Sequence, residues 1–183
     1  IHLPKDFVRA ISGTNGKYMC QIIEAYYRVP DGRKIQNECM KRVKKKLEVY
    51  VPKKVGVDEI LQYFQKNEVH LAVASSSSKE QIESNLEIAG IRTYFEEIVS
   101  GNEVAHGKPA PDIFILAAEK IGCRPEECYV FEDSANGIVA GDAAGCKTIL
   151  IPDLVAPTEK IEQLSYRIYD SLLEAMHGIN STG

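Results

Sequence analysis

The sequence contains no tryptophan and only five cysteines: Cys20, Cys39, Cys123, Cys128 and Cys146. No two of them form a C-x-x-C pair, and several lie in apolar surroundings such as "ECYVF" and "AAGCKTI". Scattered cysteines of this kind favour reduced, buried thiols over disulfides or a cysteine-ligated metal.

Long apolar runs and an excess of positive charge are also missing. No run approaches the roughly 20 residues of a membrane-spanning helix, and no basic leader precedes an apolar stretch near Ile1. The net charge of −4 over 183 residues gives no reason to expect nucleic acid, so any anion-binding site must be local. We therefore predict a cytoplasmic protein, a monomer or weak dimer, with neither membrane nor nucleic acid among its partners.

Two regions differ in pattern. Residues 1–51 are helical in character and include the basic run "KRVKKK" (41–46), whereas short apolar runs alternate with amphipathic helices over 52–183. This alternation predicts an α/β fold, a Rossmann-like, doubly wound parallel sheet. The predicted strands are "HLAVA" (70–74), "EEIVS" (96–100), "CYVFE" (128–132, fully buried), "KTILI" (147–151) and "YRIYD" (166–170).

Two helices have clear start and stop signals. A capping box, Ser78-x-x-Gln81, predicts a helix over 79–89 that Gly90 ends. A second helix is predicted over 111–121, with Pro111 in its first turn and Gly122 after its end. Its buried face would comprise Ile113, Phe114, Ala117 and Ile121.

Polar residues follow three of the predicted strands. Ser75 comes after the first, Lys108 after the second, and Glu132 with Asp133 after the third. Ligands of open α/β sheets bind at the carboxyl ends of the strands. We therefore expect a hydroxyl, an ammonium and two carboxylates at one edge of the sheet.

Each of these residues has a functional and a purely structural interpretation. Ser75 and Ser76, ahead of a helix N-terminus, could cradle a phosphate or simply form a serine-rich turn. Lys108 precedes a proline and is therefore restricted in its backbone, yet it could be a solvated loop lysine. Glu132 and Asp133 suit Mg²⁺, which prefers carboxylate oxygens, waters and substrate phosphate, but Asp133 could instead cap the next helix.

Taken together, "VASSSS", "GKPAPDIF" and "FEDSANGI" resemble the haloacid dehalogenase superfamily, in particular its sugar-phosphate phosphatases and β-phosphoglucomutase-like enzymes. The resemblance implies a Rossmann-like core over 52–183, a small helical cap over 1–51, Mg²⁺ as cofactor and an aspartyl-phosphate intermediate. It implies that Ser75 binds the transferring phosphoryl group, that Lys108 stabilises the aspartyl phosphate, and that Glu132 and Asp133 bind the metal. With the serine loop, this makes Ser75 and Lys108 the candidate catalytic residues and Ser75, Ser76 and Lys108 the candidate phosphate-binding residues. A small phosphorylated metabolite, such as a sugar phosphate, is the expected substrate.

The sequence departs from this superfamily in one respect: it has no Asp-x-Asp, the motif that supplies the nucleophile and the general acid/base from the first, central strand. We therefore expect the core to lack that strand, which would leave a slot between "HLAVA" and "CYVFE". The chain begins with Ile1 rather than Met, so we also expect further sequence upstream. We expect a Mg²⁺-dependent phosphatase whose nucleophilic aspartate lies outside this sequence; the alternatives are a β-phosphoglucomutase-like mutase and an inactive phosphate-binding fragment.

Other motifs carry less weight. "GTNGK" (13–17) resembles a nucleotide-binding loop, but Ile11 and Tyr18 stand where the P-loop needs glycine and Ser/Thr. We interpret it as a turn between cap helices, with Lys17 as a candidate substrate-binding residue. "KRVKKK" is interpreted as a solvated helical face, and His106 as an exposed or structural histidine.

Overall fold

The computed structural model describes Phe7, residues 16–153 and residues 156–180. In chain order the helices are α1 (Gly16–Tyr27), α2 (Gly32–Leu47), α3 (Val57–Lys66), α4 (Lys79–Ile88), α5 (Asp112–Lys120), α6 (Ala135–Ala143), α7 (Glu159–Leu164) and α8 (Leu172–Asn180). The strands are β1 (Ala72–Ser75), β2 (Glu97–Ser100), β3 (Tyr129–Glu132), β4 (Lys147–Leu150) and β5 (Arg167–Ile168). Within these described ranges, no helix combines the length and apolar character needed to cross a membrane.

The chain divides into two compact units. Unit 1 comprises residues 1–50 with 154–156, and unit 2 comprises residues 51–153 with 157–183. In unit 1, Asp31 caps α2 by accepting a hydrogen bond from the Arg33 N–H at 3.0 Å. Gly32 lies so close to α1 that a Cβ there would overlap the carbonyl oxygen of Cys20, so glycine permits the close approach of the two helices.

Unit 2 is an α/β structure in which all strand pairs are parallel. β1 pairs with β2, and β4 pairs with β3 on one side and with β5 on the other. In the described part of the chain these are two separate sheets, of order β1–β2 and β3–β4–β5, and β1 is not paired with β3.

A shared core holds the two sheets in one unit. It includes Val99 of β2, Ile113 and Phe114 of α5, Val130 of β3 and Ala140 of α6. The strands that would border the predicted slot are less buried than their neighbours. All four residues of β1 are half-buried, whereas three of the four in β2 and in β4 are buried.

The predicted strands all form, with shifted ends. β1 begins two residues later than predicted and includes Ser75, and β3 includes Glu132 as its last residue. The expectation that "CYVFE" is fully buried was wrong, because Tyr129 is 37% exposed. It lies at the amino end of β3, near the ring of Tyr166 and the ammonium of Lys147.

The two predicted helices also form. The Ser78 hydroxyl accepts from the Gln81 N–H at the start of α4, and Gly90 follows its end with a φ of +71°. Pro111 precedes α5 as its cap rather than lying in its first turn. Ile121 is half-buried at the C-cap of α5, and Ala118 is buried instead.

The prediction of buried thiols is correct for only some of the cysteines. All five are unpaired, and Cys20 and Cys146 are buried. Cys39 is exposed on α2. Gly32 is the only buried residue of that helix, so α2 offers no buried position for a thiol.

Candidate phosphoryl-transfer site

Lys108 bridges the two sheets of unit 2. It lies in the loop between β2 and α5, and its side chain is only 11% exposed. The ammonium donates to the carbonyl oxygen of Ala74 in β1 at 3.1 Å and to Oε1 of Glu132 in β3 at 2.5 Å. The Phe114 ring lies 4.6 Å below it. Lys108 is therefore not a solvated loop lysine but a fixed cation at the carboxyl ends of β1 and β3.

Glu132 is the most heavily contacted carboxylate at this edge. Its Oε2 accepts from the Asp133 N–H at 3.1 Å and from the N–H and hydroxyl of Ser134 at 3.3 and 2.9 Å. A carboxylate offers about four acceptor positions, and three donors already contact Oε2. A further ligand of Glu132 would therefore bind Oε1, the oxygen that also accepts from Lys108.

Ser134 and Gly137 hold that carboxylate in place. The Ser134 hydroxyl donates to Glu132 and also accepts from the Gly137 N–H at 3.1 Å, which makes Ser134 the N-cap of α6. A Cβ at Gly137 would overlap the Glu132 carboxylate. The alternative in which Asp133 caps this helix was therefore wrong, because Ser134 occupies that position.

Asp133 is more open than Glu132 and belongs to a second group of charges. Lys54 lies between Asp133 and Asp153, 3.8 Å and 3.2 Å from their nearest carboxylate oxygens. Burial raises the pKa of Asp133, as do the charges of Glu132 and Asp153, while Lys54 opposes them. Negative charge at Asp133 is therefore incompletely compensated within the protein.

A divalent cation suits this donor set. Mg²⁺ is commonly held by one or two carboxylates together with waters and substrate phosphate. The described residues contain no group of three or more His, Cys, Asp or Glu side chains arranged around a common point. Glu132 and Asp133 could thus supply two carboxylates, with the remaining ligands coming from elsewhere.

The serine loop after β1 is fastened to the neighbouring strand. Ser75, the last residue of β1, pairs in register with Ser100 of β2, and its hydroxyl accepts from the Ser77 N–H at 3.3 Å. Ser100 is completely buried, and its hydroxyl donates to the Ser77 carbonyl at 2.7 Å. Ser76 is exposed. The loop therefore presents one half-buried and one exposed hydroxyl beside the start of α4.

The remaining sequence candidates are Lys17 within "GTNGK", the basic run "KRVKKK" and His106. The side chain of Lys17 and residues 8–15, which contain most of "GTNGK", lie outside the described residues. All six residues of "KRVKKK" are exposed on α2, as predicted. Part of this run, Arg42, Lys45 and Lys46, lines an open groove with Val49 and Tyr50 in unit 1. His106 is exposed but does have a partner, since its Nδ1 lies 3.0 Å from Asp112.

Sequence reasoning missed four contributors: Lys54, Ser100, Ser134 and Asp153. Ser134 could have been found, because serine is a preferred N-cap residue and it directly precedes the predicted helix. Asp153 follows β4, so the rule that directed attention to Glu132 applies to it as well. Lys54 precedes the first strand of the core and has no local signal that links it to this edge.

The fold and these contacts define a parallel α/β protein whose strand ends carry a fixed ammonium, hydroxyls and carboxylates. Residues 2–151 match the family of haloacid dehalogenase-like hydrolases, and the chain belongs to that family. The superfamily inferred from the "GKPAPDIF" and "FEDSANGI" motifs is thus confirmed, and so is the Rossmann-like α/β fold.

Relatives with known activities include phosphatases. The chain is 40% identical over 104 residues to the bifunctional riboflavin kinase/FMN phosphatase of Arabidopsis thaliana, a match that covers 56% of this chain and 27% of that protein. It is 42% identical over 79 residues to the fructose-1-phosphate phosphatase YqaB of Escherichia coli K12, covering 43% and 42%. These similarities support a phosphatase family without assigning a substrate to this chain.

A solved structure supports the fold. The β-phosphoglucomutase of Clostridium difficile is similar with a TM-score of 0.71 at 16% identity, covering 100% of this chain and 86% of that one. At this identity the similarity concerns the fold alone. The matched regions span between 27% and 53% of the length of the first curated relatives.

Proposed function

We propose that this chain is part of a Mg²⁺-dependent phosphatase that acts on small phosphorylated metabolites, with sugar phosphates as the expected class. The observation that carries the proposal is the Lys108 ammonium, held at the strand ends between the Ala74 carbonyl and the Glu132 carboxylate. A fixed ammonium in a poorly hydrated position stabilises the negative charge that phosphoryl transfer develops.

The proposed roles follow from position. Ser75 and Ser76 would donate hydroxyl hydrogen bonds to the transferring phosphoryl group, and the N-terminus of α4 beside them favours an anion. Lys108 would neutralise the phosphoryl oxygens and the attacking carboxylate. Glu132 and Asp133 would hold Mg²⁺, which when bound neutralises further charge on the phosphoryl group.

The nucleophile in this proposal is an aspartate that the 183 residues do not supply within an Asp-x-Asp motif. In the described part of the chain β1 and β3 each pair on one side only, and a strand between them that carried this aspartate would join the two sheets into one. Its carboxylate would attack phosphorus, and water would then hydrolyse the aspartyl phosphate. Unit 1 would act as a cap that excludes bulk water and selects the substrate.

One alternative rests on a specific observation. The absent Asp-x-Asp favours an inactive protein that binds phosphate but does not turn over. A mutase, in contrast, is supported only by likeness of fold to a β-phosphoglucomutase, which carries no information on substrate.

Phosphate release tests the proposal. The purified protein that contains this chain would be assayed against a panel of sugar phosphates and FMN, with Mg²⁺ and with EDTA. We expect Mg²⁺-dependent release, which Lys108→Ala lowers at least about a hundredfold in kcat because a stabilising charge is lost.

The matched control is Lys147→Ala. Lys147 is the first residue of β4, at the amino end of the sheet, where its ammonium lies 5.4 Å from the centre of the Tyr129 ring, and its loss should leave kcat unchanged. Phosphate binding without any release would favour the inactive alternative, and an unchanged kcat in Lys108→Ala would contradict the role of that lysine.

A further inference from the structure

Lys54 forms two unequal ion pairs at the edge of the sheet. Its ammonium lies 3.2 Å from Oδ2 of Asp153 and 3.8 Å from Oδ2 of Asp133. Asp133 follows β3 and Asp153 follows β4. These neighbouring strands are joined at this end by the Ile151 N–H, which donates to the Glu132 carbonyl at 2.8 Å. The Lys54 ammonium, which is distant in sequence from both strands, thus forms ion pairs with the carboxylates of Asp133 and Asp153.

The backbone around Lys54 is fixed by its neighbours. The Lys54 carbonyl accepts from the Val57 N–H at 3.3 Å. Gly56 has a φ of +89° and lies so close to α8 that a Cβ would overlap the Leu173 backbone. These two contacts fix the backbone of the turn that carries Lys54. The fixed backbone in turn directs the Lys54 side chain towards Asp133.

We propose that Lys54 is an internal counter-ion that competes with the divalent metal for Asp133. The inference rests on the metal site of the proposed function. Without metal, the ammonium offsets the negative charge of Asp133. When a divalent ion binds Asp133, Lys54 retains its shorter pair with Asp153 and gives up the longer one. Lys54 therefore sets how tightly the site holds its metal.

Lys53 provides a matched control for this proposal. It is adjacent in sequence and carries the same charge, but it pairs with Asp58 at 2.6 Å rather than with Asp133 or Asp153. Replacing either lysine with alanine changes the net charge equally. Any difference in metal affinity between the two variants therefore reports the local contact and not the overall charge.

The test is direct binding of Mn²⁺, followed by the signal of free Mn²⁺ in electron paramagnetic resonance at constant ionic strength, with Mg²⁺ as competitor. Since partly exposed ion pairs are weak and a divalent ion doubles the repulsion, we expect Lys54→Ala to bind Mn²⁺ about three- to tenfold more tightly. Lys53→Ala should stay within about twofold of the unaltered protein, and so should Lys54→Arg, which keeps the charge.

Asp153→Asn provides an independent check. Losing Asp153 frees Lys54 to pair fully with Asp133, so Mn²⁺ binding should weaken several-fold. The same substitution combined with Lys54→Ala should have a much smaller effect, because no competing ammonium remains. An undiminished effect in the combined variant would contradict the coupling, since Asp153 would then act on the metal by itself.

Other results would overturn the proposal in distinguishable ways. Equal affinities in the unaltered protein, Lys54→Ala and Lys53→Ala would remove the role of Lys54 and leave the metal site in place. Weaker binding in Lys54→Ala would mean that the lysine supports the site rather than competing with it. No Mn²⁺ binding by any of the proteins would exclude the metal site, and with it both proposals.

Discussion

At the scale of single residues, the candidate site is organised around the Glu132 carboxylate. One oxygen accepts from Lys108 and the other from three donors at the start of α6. Each of these contacts fixes Glu132, and Glu132 in turn fixes the Lys108 ammonium. Residues that touch neither substrate nor metal can therefore affect activity by displacing this carboxylate.

Gly137→Ala tests this dependence. A Cβ at this position would overlap the Glu132 carboxylate, which must then move away from Lys108 and Ser134. Since a displacement of about 1 Å can cost about a hundredfold in rate, we expect a loss of that order in kcat for phosphate release. Circular dichroism should show the helices retained.

The control for Gly137 is Gly107→Ala. Apart from its two neighbours in the chain, a Cβ at Gly107 would meet no atom within 4 Å, and the φ of Gly107 is not in the left-handed region. Activity should therefore be almost unchanged. If Gly137→Ala kept full activity while remaining folded, the position of Glu132 would not matter for turnover.

The sequence was sufficient to select Ser75, Lys108, Glu132 and Asp133 as candidates, because each lies in a motif that follows a predicted strand. It could not show that Lys108 bonds to Glu132, since that contact joins residues 24 positions apart. The second charge group, Lys54 with Asp133 and Asp153, was missed for the same reason. Side-chain partners across a sheet edge depend on tertiary geometry that local pattern does not encode.

At the scale of secondary-structure elements, the serine loop owes its shape to a contact with β2. Ser100 is the last residue of that strand, and its buried hydroxyl donates to the Ser77 carbonyl. The same hydroxyl accepts from the Asn102 N–H at 3.2 Å. The loop that is proposed to bind phosphate is therefore fastened by a residue of the neighbouring strand.

Ser100→Ala should loosen this loop. Removal of the hydroxyl leaves the half-buried Ser77 carbonyl without this donor, which costs about 0.5–1.5 kcal/mol in the free energy of unfolding. Because Ser75 and Ser76 belong to the loop, we also expect a several-fold increase in KM for a phosphorylated substrate. Urea unfolding and steady-state kinetics measure the two effects.

Thr148→Val separates loop positioning from loss of stability. Like Ser100, Thr148 is buried and its hydroxyl both donates to a carbonyl, that of Leu164 at 3.1 Å, and accepts from a backbone N–H, that of Tyr166 at 3.4 Å, but it lies in the amino half of β4. This variant should lose stability without a change in KM. An equal rise in KM in both variants would show that the effect of Ser100 is general destabilisation.

Element boundaries were predicted to within a few residues where a local signal exists. Ser78, Gly90 and Gly122 marked helix ends correctly because capping and left-handed glycines are local features of the chain. Strand burial was predicted less well: Tyr129 reads as part of an apolar run, yet its ring is exposed. Exposure depends on what lies across the sheet, which the run itself does not specify.

At the scale of the whole molecule, unit 2 is stabilised by a core that spans both sheets. Cys146 belongs to it, just before β4, in a cluster with Val99 of β2 and Val130 of β3. The alternation of strands and helices was enough to predict a parallel α/β arrangement. How α5 and α6 join the two sheets through one core could be seen only in the structure.

The buried thiol of Cys146 makes the stability of this core sensitive to alkaline pH. Burial raises the pKa of Cys146 to about 11 from an ordinary value of 9.0. Below pH 9 the thiol is protonated in both states, so its contribution to stability is complete. As the pH rises through the interval to about 11, the unfolded chain ionises first, and stability is lost.

We expect the ionisation of Cys146 to appear as a difference between variants in how their free energy of unfolding depends on pH. From pH 8 to pH 11 the unaltered protein should lose about 1–3 kcal/mol more unfolding free energy than Cys146→Ala, measured by urea unfolding at each pH. The comparison removes the titration of tyrosines and lysines, which both proteins share. Cys39→Ala is the control, since Cys39 is exposed and does not belong to this core. Parallel pH profiles for the unaltered protein and Cys146→Ala would mean that this thiol reaches solvent before the core unfolds.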